Sequence, residues 1–153
     1  KREIAVAAIS FLPHCQDQRV FGSLVDALAG GDQRICSTAI SALGELGDSR
    51  AFEVLAPIVS GGTDSHLRAS AIYAIAKLHD RRTIDLLLEQ LGSQKMPLSG
   101  WAETFAIVKV LGEAGDSRAI EPLRNLTGQA SSYLKYYIEQ ALHNLGAPSL
   151  LSA

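Results

Sequence analysis

Apolar residues recur at helical spacing along the chain, and the same spacing returns several times. In ICSTAISALGEL, the apolar residues Ile35, Ala39, Ile40, Leu43 and Leu46 fall on one stripe of a helix. No run alternates between apolar and polar residues as a half-buried strand would. The pattern therefore predicts amphipathic helices and an all-α fold. Equivalent stripes are predicted in the segments 4–12, 67–78, 101–114 and 133–147.

A short sequence motif occurs four times along the chain. GDSRAFEVL at 47–55 returns as GDSRAIEPL at 115–123, and QDQRVFGSL at 16–24 and HDRRTIDLL at 79–87 are related to them. The aspartates are spaced by 31, 32 and 36 residues, a period that is typical of helical repeat proteins. Each aspartate is followed two residues later by an arginine. The pairs are Asp17 and Arg19, Asp48 and Arg50, Asp80 and Arg82, and Asp116 and Arg118.

The residues of this motif are those expected in a tight turn between two helices. We expect each aspartate to cap the second helix of its unit, because its carboxylate can accept hydrogen bonds from free backbone N–H groups. We expect Gly47 and Gly115 to close the first helix in the left-handed conformation. We expect each arginine to reach a carbonyl or an aspartate of the neighbouring unit and so form a ladder between repeats. The second helices are predicted at 17–29, 48–60, 80–91 and 116–127.

The predicted fold is an all-α, right-handed α-solenoid, a superhelix of about four and a half helical hairpins. One domain is predicted over residues 1–153. The segment after the last first helix is too short for a second helix, so the sequence is interpreted as an excerpt of a longer array or as a subunit that pairs with another solenoid. The predicted repeats are 1–32, 33–64, 65–100, 101–132 and a partial repeat, 133–153.

The repeated unit resembles a known family. ALGELGDSRAFEVL at 42–55 and VLGEAGDSRAIEPL at 110–123 are similar to HEAT-like repeats of the phycobilisome-lyase type, AIAKLHDRRTIDLL at 74–87 matches less closely, and FLPHCQDQRVFGSL at 11–24 departs from the pattern. The resemblance implies a helical solenoid over nearly the whole chain. It also implies a choice of functions, because the family holds bilin lyase subunits, phycobilisome-degradation factors and adaptors without catalytic activity.

Composition narrows the function classes. The net charge of −2 gives no general attraction to nucleic acid, and no apolar run is long enough to span a membrane. Cys15 and Cys36 form no CxxC site and are interpreted as reduced thiols of a cytoplasmic protein. The four histidines show no metal-ligand spacing. We therefore predict no metal, no catalytic residue, no nucleic-acid partner and no membrane partner.

Carboxylates recur at fixed places in the predicted second helices. Glu53, Asp85 and Glu121 each lie five residues after a repeated aspartate, and Asp26 and Glu89 lie nine residues after theirs. Because repeat proteins present their inner surface to partners, these residues form a candidate acidic row for a partner with a basic surface. The alternative is that acids near helix N-termini simply suit the helix dipole and water.

One segment breaks the period. LGSQKMPLSGW at 91–101 adds about four residues to the repeat and carries Lys95, Met96 and the single tryptophan, Trp101. Insertions of this kind often lie at a functional edge, so we expect these three residues to contact a partner. The alternative is that the helix restarts there and Trp101 packs inward. Farther along, YLKYY at 133–137 is expected to pack in the core against the fourth unit.

Two main functions remain open from the sequence, beside a third option, a repeat segment that regulates a larger host protein. The first is a non-catalytic scaffold or adaptor without a cofactor, which presents a concave helical surface to another protein. The alternative follows from the resemblance: a phycobilin lyase-like or phycobilisome-degradation subunit that binds a tetrapyrrole chromophore, a phycobilin. Such a chromophore requires a groove and carboxylates for its pyrrole nitrogens, and the sequence shows no fixed spacing that proves such a groove.

Overall fold

The computed structural model describes residues 2–11, 19–61, 64–93 and 101–148, and all regular secondary structure in these ranges is helical. The predicted all-α solenoid class is confirmed; the handedness and the single domain over 1–153 stay predictions. A single 3-10 turn, Ser117–Ala119, precedes α8. The helices are α1 (Arg2–Phe11), α2 (Val20–Ala29), α3 (Gln33–Leu46), α4 (Ala51–Ser60), α5 (Ser65–Lys77), α6 (Arg82–Gly92), α7 (Trp101–Ala114), α8 (Ile120–Thr127) and α9 (Ser132–Asn144).

The chain divides into two compact units, Lys1–Asp80 and Arg81–Ala153. In the first unit α3 packs against both α1 and α5, while α2 and α4 each pack against the first helix that follows them. In the second unit α7 and α9 pack together, and α6 and α8 pack against them in the same way. Each unit is thus a stack of helical hairpins with a continuous apolar core. The fully buried large side chains are Leu24, Ile40, Leu43, Leu55, Ile72 and Ile75 in the first unit and Leu87, Ile107, Leu111, Leu123, Ile138 and Leu142 in the second.

Three of the first helices, α3, α5 and α9, have a side-chain cap at the N-terminus. Asp32 accepts hydrogen bonds from two backbone N–H groups of α3, and Asp64 accepts one from the backbone of α5 at 2.8 Å. Ser131 caps α9 by accepting from the backbone N–H of Leu134 at 3.3 Å. These caps satisfy donors that a helix leaves without partners in its first turn. They fix where each hairpin begins.

The turns after the first helices use left-handed backbone. Gly47 and Gly115 have φ angles of 68° and 71°, as expected from the sequence. His79 occupies the corresponding place in the third repeat and has a φ of 52°, which is an uncommon conformation for a residue with a side chain. The repeat therefore keeps its turn geometry even where its glycine has been lost.

Two glycines allow neighbouring first helices to approach closely. A Cβ added at Gly44 of α3 would lie 2.8 Å from the Cα of Ala74 in α5, and one added at Gly112 of α7 would lie 2.6 Å from the Cβ of Ala141 in α9. Real Cβ atoms do not approach this closely. In each unit the backbone of one first helix therefore packs against the alanine of the next at this point. Because the same contact occurs in both units, it shows which residues of the two units are equivalent.

Candidate functional site

The repeated Asp–Arg pair forms a compact turn before a second helix. In the first unit, Asp48 accepts a hydrogen bond from the backbone N–H of Arg50 at 2.9 Å, and an Nη of the same arginine lies 2.6 Å from the Asp48 carboxylate. The guanidinium also lies over the ring of Phe21 in the preceding hairpin, 4.3 Å from its centroid. The arginine therefore joins its own turn to the preceding repeat through a cation–π contact.

The second unit uses the same turn with a different partner. Arg118 contacts Asp116 at 2.7 Å, and its other terminal nitrogen donates to the carboxylate of Asp85 in the preceding hairpin at 2.8 Å. The sequence predicts that such an arginine reaches a carbonyl or the repeated aspartate of the neighbouring unit, whereas Arg118 contacts Asp85 on the helix that follows the turn of that unit. Sequence spacing did not identify Phe21 or Asp85 as the contact, because it does not give side-chain direction.

The second helices begin later in the chain than the sequence predicts. The predicted second helices begin at residues 17, 48, 80 and 116, whereas the observed ones begin at Val20, Ala51, Arg82 and Ile120. Each observed start is two to four residues later, because a short turn separates the aspartate from the helix: the backbone N–H of Ala51 donates to the carbonyl of Asp48 at 2.9 Å. Asp116 likewise caps the 3-10 turn Ser117–Ala119. The predicted boundaries were therefore wrong by this turn.

The other members of the repeated set are only partly described. Asp17 lies outside the described residues. Arg19 is exposed immediately before α2, Asp80 is half-buried immediately after the turn that follows α5, and Arg82 is the exposed first residue of α6. Their assignment to a continuous ladder stays a prediction.

The arginines lower the pKa of the turn carboxylates. The pKa of Asp48 lies below its ordinary value of 3.8, mainly because the Arg50 side chain donates hydrogen bonds to it and then because the backbone N–H does. The pKa of Asp116 is lowered by the same two contacts from Arg118. The pKa of each arginine is raised in return, chiefly by hydrogen bonding to the aspartate. The turns are thus held by charged groups.

We expect Asp116→Asn to destabilise the chain at neutral pH but not in strong acid. A carboxylate with a lowered folded-state pKa stabilises the fold above the ordinary value of 3.8, and this contribution is lost as the pH falls through the lowered pKa. Asparagine keeps a capping oxygen but carries no charge. Thermal unfolding of both proteins between neutral pH and pH about 2 measures the difference.

Asp116→Ala provides the control for this experiment. Alanine removes both the charge and the capping oxygen, so its cost is expected to fall in acid as well but to persist there at about 1 kcal/mol, because the cap is still missing. If the Asn variant showed the same deficit in acid as at neutral pH, the charge of Asp116 would not be what stabilises the turn.

The predicted acidic residues are all exposed, but two of them have cationic partners in the second unit. Asp85 contacts Arg118, and Glu121 accepts from Arg124 at 2.9 Å. These carboxylates are partly neutralised within the fold, which weakens their attraction for a basic partner. Their role in partner binding stays a prediction. The exposed residues of this set are Asp26 and Glu53 in the first unit and Asp85, Glu89 and Glu121 in the second.

The insertion is described only at its end. Lys95 and Met96 lie outside the described residues. Trp101 begins α7 and is 56% exposed, so the interpretation that it packs inward is wrong. It lines an open cavity of about 340 Å³ beside the start of α9. The other lining residues are Thr104, Gln129, Ala130, Ser131 and Leu134.

Aromatic rings continue from this cavity across α7 and α9. The ring of Phe105 lies edge-on to Tyr137 at 4.1 Å and nearly parallel to Tyr133 at 6.1 Å. The hydroxyl groups of the two tyrosines are 3.3 Å apart, and this hydrogen bond raises the pKa of Tyr137. Core packing, expected for this tyrosine cluster, holds for the Phe105–Tyr137 contact but is wrong for Tyr133, which is 61% exposed.

The first unit has polar residues at the equivalent places. Matching Gly44 to Gly112 and Ala74 to Ala141 pairs Gln33 with Trp101, Ser37 with Phe105, His66 with Tyr133 and Ser70 with Tyr137. In the first unit Gln33 donates to Asp64 at 3.1 Å, and the hydroxyls of Ser37 and Ser70 are 3.3 Å apart. We define the aromatic edge as Trp101, Phe105, Tyr133 and Tyr137.

The described ranges contain no group of three or more His, Cys, Asp or Glu side chains placed to hold a metal ion. Among the same residues, no helix is long and apolar enough to cross a membrane. Cys36 is a buried free thiol whose sulfur lies 3.4 Å from the carbonyl oxygen of Leu28. The candidate site is therefore a surface, and its distinguishing feature is the aromatic edge.

Stacked helical hairpins with a repeated Asp–Arg turn define a helical-repeat protein. Comparison with known families identifies HEAT repeats over residues 2–76 and 22–102, and the PBS lyase HEAT-like repeat over residues 105–128. The chain belongs to the HEAT repeat family. A comparison with curated proteins finds no match.

Proposed function

We propose that this protein is a non-catalytic adaptor that binds another protein through the aromatic edge of its second unit. HEAT repeats generally mediate protein–protein interaction, which supports the class of function. The single observation that carries the proposal is the exposure of Trp101 and Tyr133 on a rigid pair of helices. Tryptophan and tyrosine are among the residues most enriched at the energetic centres of protein interfaces.

The aromatic edge is a better candidate than the acidic row. Asp85 and Glu121 already have cationic partners, so a basic ligand would have to compete with Arg118 and Arg124 for them. Exposed ion pairs of this kind contribute little to affinity. The rings, by contrast, offer apolar area that is lost from water on binding. Exposed charges of this kind affect the rate of association more than its strength.

Affinity capture with matched variants tests this function. Wild-type chain, immobilised and exposed to a lysate of the source organism, is expected to retain a defined set of proteins. Trp101→Gln combined with Tyr133→His is expected to lose that set, because it gives the second unit the polar residues of the first. Both replaced side chains are exposed, so the fold is expected to survive, and far-UV circular dichroism checks this.

Phe11→Ser is the control, because Phe11 is a 71% exposed aromatic residue of the first unit. It is expected to leave the retained proteins unchanged, which excludes a general effect of surface aromatic residues. A third variant with Glu53, Asp85 and Glu121 replaced by lysine tests the acidic row. Loss of the same proteins with this variant alone would assign binding to the carboxylates and refute the aromatic edge.

A tetrapyrrole-binding subunit is the second candidate, and the observation that favours it is the match of residues 105–128 to the PBS lyase HEAT-like repeat. The cavity beside Trp101 is lined by uncharged residues, so it lacks the carboxylates that pyrrole nitrogens require. This cavity therefore does not fit the chromophore. Mixing the chain with a phycobilin is a direct test: a sharpened, red-shifted absorption band would support this candidate, and an unchanged spectrum would refute it.

The proposal also covers the cellular compartment and the kind of partner. We place the protein in the cytoplasm, which the free thiol of Cys36 supports, because reduced cysteines are typical of that compartment. The partner on the aromatic edge belongs to a different protein. A second solenoid subunit remains a separate proposal, and analytical ultracentrifugation of the purified chain tests it.

A further inference from the structure

We propose that the aromatic edge binds an uncharged, proline-rich segment in the polyproline II conformation. This inference rests on the proposed function and specifies the class of partner. It is carried by the arrangement of the rings, by the uncharged character of the described residues that line the cavity and by the kind of hydrogen-bonding groups that the surface presents.

Phe105 and Tyr137 contact each other between α7 and α9, whereas Trp101 and Tyr133 are exposed and bury little area between these helices. At the equivalent positions of the first unit, Ser37 and Ser70 face each other, and α3 and α5 still pack as closely as Gly44 and Ala74 allow. A hairpin stack of this family therefore forms with small polar residues along this line. Along the same line of the second unit, Trp101 and Tyr133 add exposed apolar area that a hairpin stack does not require, which points to a ligand.

The charge around the cavity selects an uncharged occupant. Its six lining residues, from Trp101 to Leu134, are all uncharged, and so are the other rings of the aromatic edge. A charged segment placed here would lose hydration without gaining a counter-charge. A neutral segment loses little hydration and gains contact with the rings. The surface is therefore complementary to a partner segment without charged side chains.

The hydrogen-bonding groups favour polyproline II over a helix or a strand. The hydroxyls of Tyr133 and Tyr137 carry two hydrogens and share one contact, so one hydrogen remains to donate outward, and the indole of Trp101 is also a donor. A polyproline II segment has solvated carbonyls that accept such bonds, whereas a helix uses its own carbonyls internally. Strand addition needs the edge of a sheet, and the described ranges contain only helices.

The geometry of the edge agrees with this mode of recognition. Trp101 and Phe105 are one helical turn apart on α7, and Tyr133 and Tyr137 are one turn apart on α9, so the rings form two adjacent rows. Proline-rich segments dock in grooves lined by aromatic side chains, where the prolines pack against ring faces. The cavity beside Trp101 receives an aliphatic or proline side chain at one end of the bound segment.

Selection from a peptide library tests the inference. A displayed library of random peptides of about a dozen residues is selected on the full wild-type chain, and the enriched peptides are synthesised with a fluorescent label. We expect uncharged sequences with two or more prolines. In anisotropy titrations, Trp101→Gln combined with Tyr133→His is expected to weaken their binding by at least about tenfold. Phe11→Ser is expected to leave it unchanged.

Two other results separate this inference from the proposed function. Enriched peptides that depend on the aromatic edge but are helical, or charged, or lack proline would refute the polyproline partner and leave the adaptor function standing. Peptides that bind equally well to the double variant would refute the aromatic edge as a binding site altogether. The single variant Trp101→Gln, at an exposed position, guards against loss of fold as the cause of a negative result.

Discussion

Alanine in place of Gly112 is expected to lower the free energy of unfolding by about 1 to 3 kcal/mol. The new Cβ would lie 2.6 Å from the Cβ and 2.7 Å from the Cα of Ala141, so the backbones of α7 and α9 would have to separate. Alanine favours a helix over glycine by about 1 kcal/mol, but that gain is smaller than the cost of disturbing the helix pair. Gly44→Ala is expected to behave likewise, because its Cβ would meet the backbone of Ala74.

Gly22→Ala is the matched control for both substitutions. Gly22 lies within α2, and an added Cβ there has nothing within 4 Å. Only the helix preference changes, so this variant is expected to raise stability by up to about 1 kcal/mol. Urea unfolding of the three variants, followed by circular dichroism, gives opposite signs for Gly22 and for the two packed glycines.

A compensating substitution extends the test. Gly112→Ala with Ala141→Gly removes the Cβ–Cβ contact but leaves the contact with the Cα of residue 141, so the double variant is expected to lose less stability than the two single losses added together without recovering all of it. Strict additivity, or a stabilising effect of Gly112→Ala alone, would show that the two helices do not meet at this point.

Leu43→Ala is expected to cost about 2 to 5 kcal/mol of unfolding free energy. The Leu43 side chain is fully buried in α3, so alanine leaves a cavity among neighbours that relax only partly. A loss of this size is a large part of the stability of an ordinary domain. Chemical denaturation of the purified variant measures it.

Leu46→Ala is the matched control within the same helix. The sequence pattern places Leu43 and Leu46 on one apolar stripe, but the structure leaves Leu46 only half-buried. The loss of unfolding free energy at Leu46 is therefore expected to be clearly smaller, since truncation there removes less buried apolar area. Equal costs at the two positions would contradict the burial that the structure assigns to this helix.

The aromatic edge shows how much of the candidate site could be predicted from the sequence. Trp101 was recognised as interface-prone because it ends an insertion in the period. Phe105 and Tyr137 were assigned to packing, and Tyr133 was placed in the core. No sequence signal distinguished these tyrosines from core residues, since helical spacing tells which residues share a face and not whether that face meets another helix.

The arginines of the repeated Asp–Arg pair show the same limit of prediction from sequence. The repeated letters predicted a residue that serves the turn and reaches toward a neighbour. They did not show that Arg50 meets the ring of Phe21 while Arg118 meets the carboxylate of Asp85. The direction of a long side chain depends on which residue lies opposite it in the neighbouring hairpin, and only the packing of the hairpins determines that residue.

The periodicity of the chain by itself determined the helical-repeat class, the recurrence of the Asp–Arg turn and the left-handed conformation of Gly47 and Gly115, because each is a local requirement of backbone geometry that recurs with the repeat. The tertiary structure decided what the sequence left open: that Gly44 and Gly112 are contact points, that Asp85 and Glu121 have cationic partners, and that Trp101 and Tyr133 are exposed beside the half-buried Phe105 and Tyr137. These properties arise from distances between residues far apart in the chain, and only the packed helices bring such residues together.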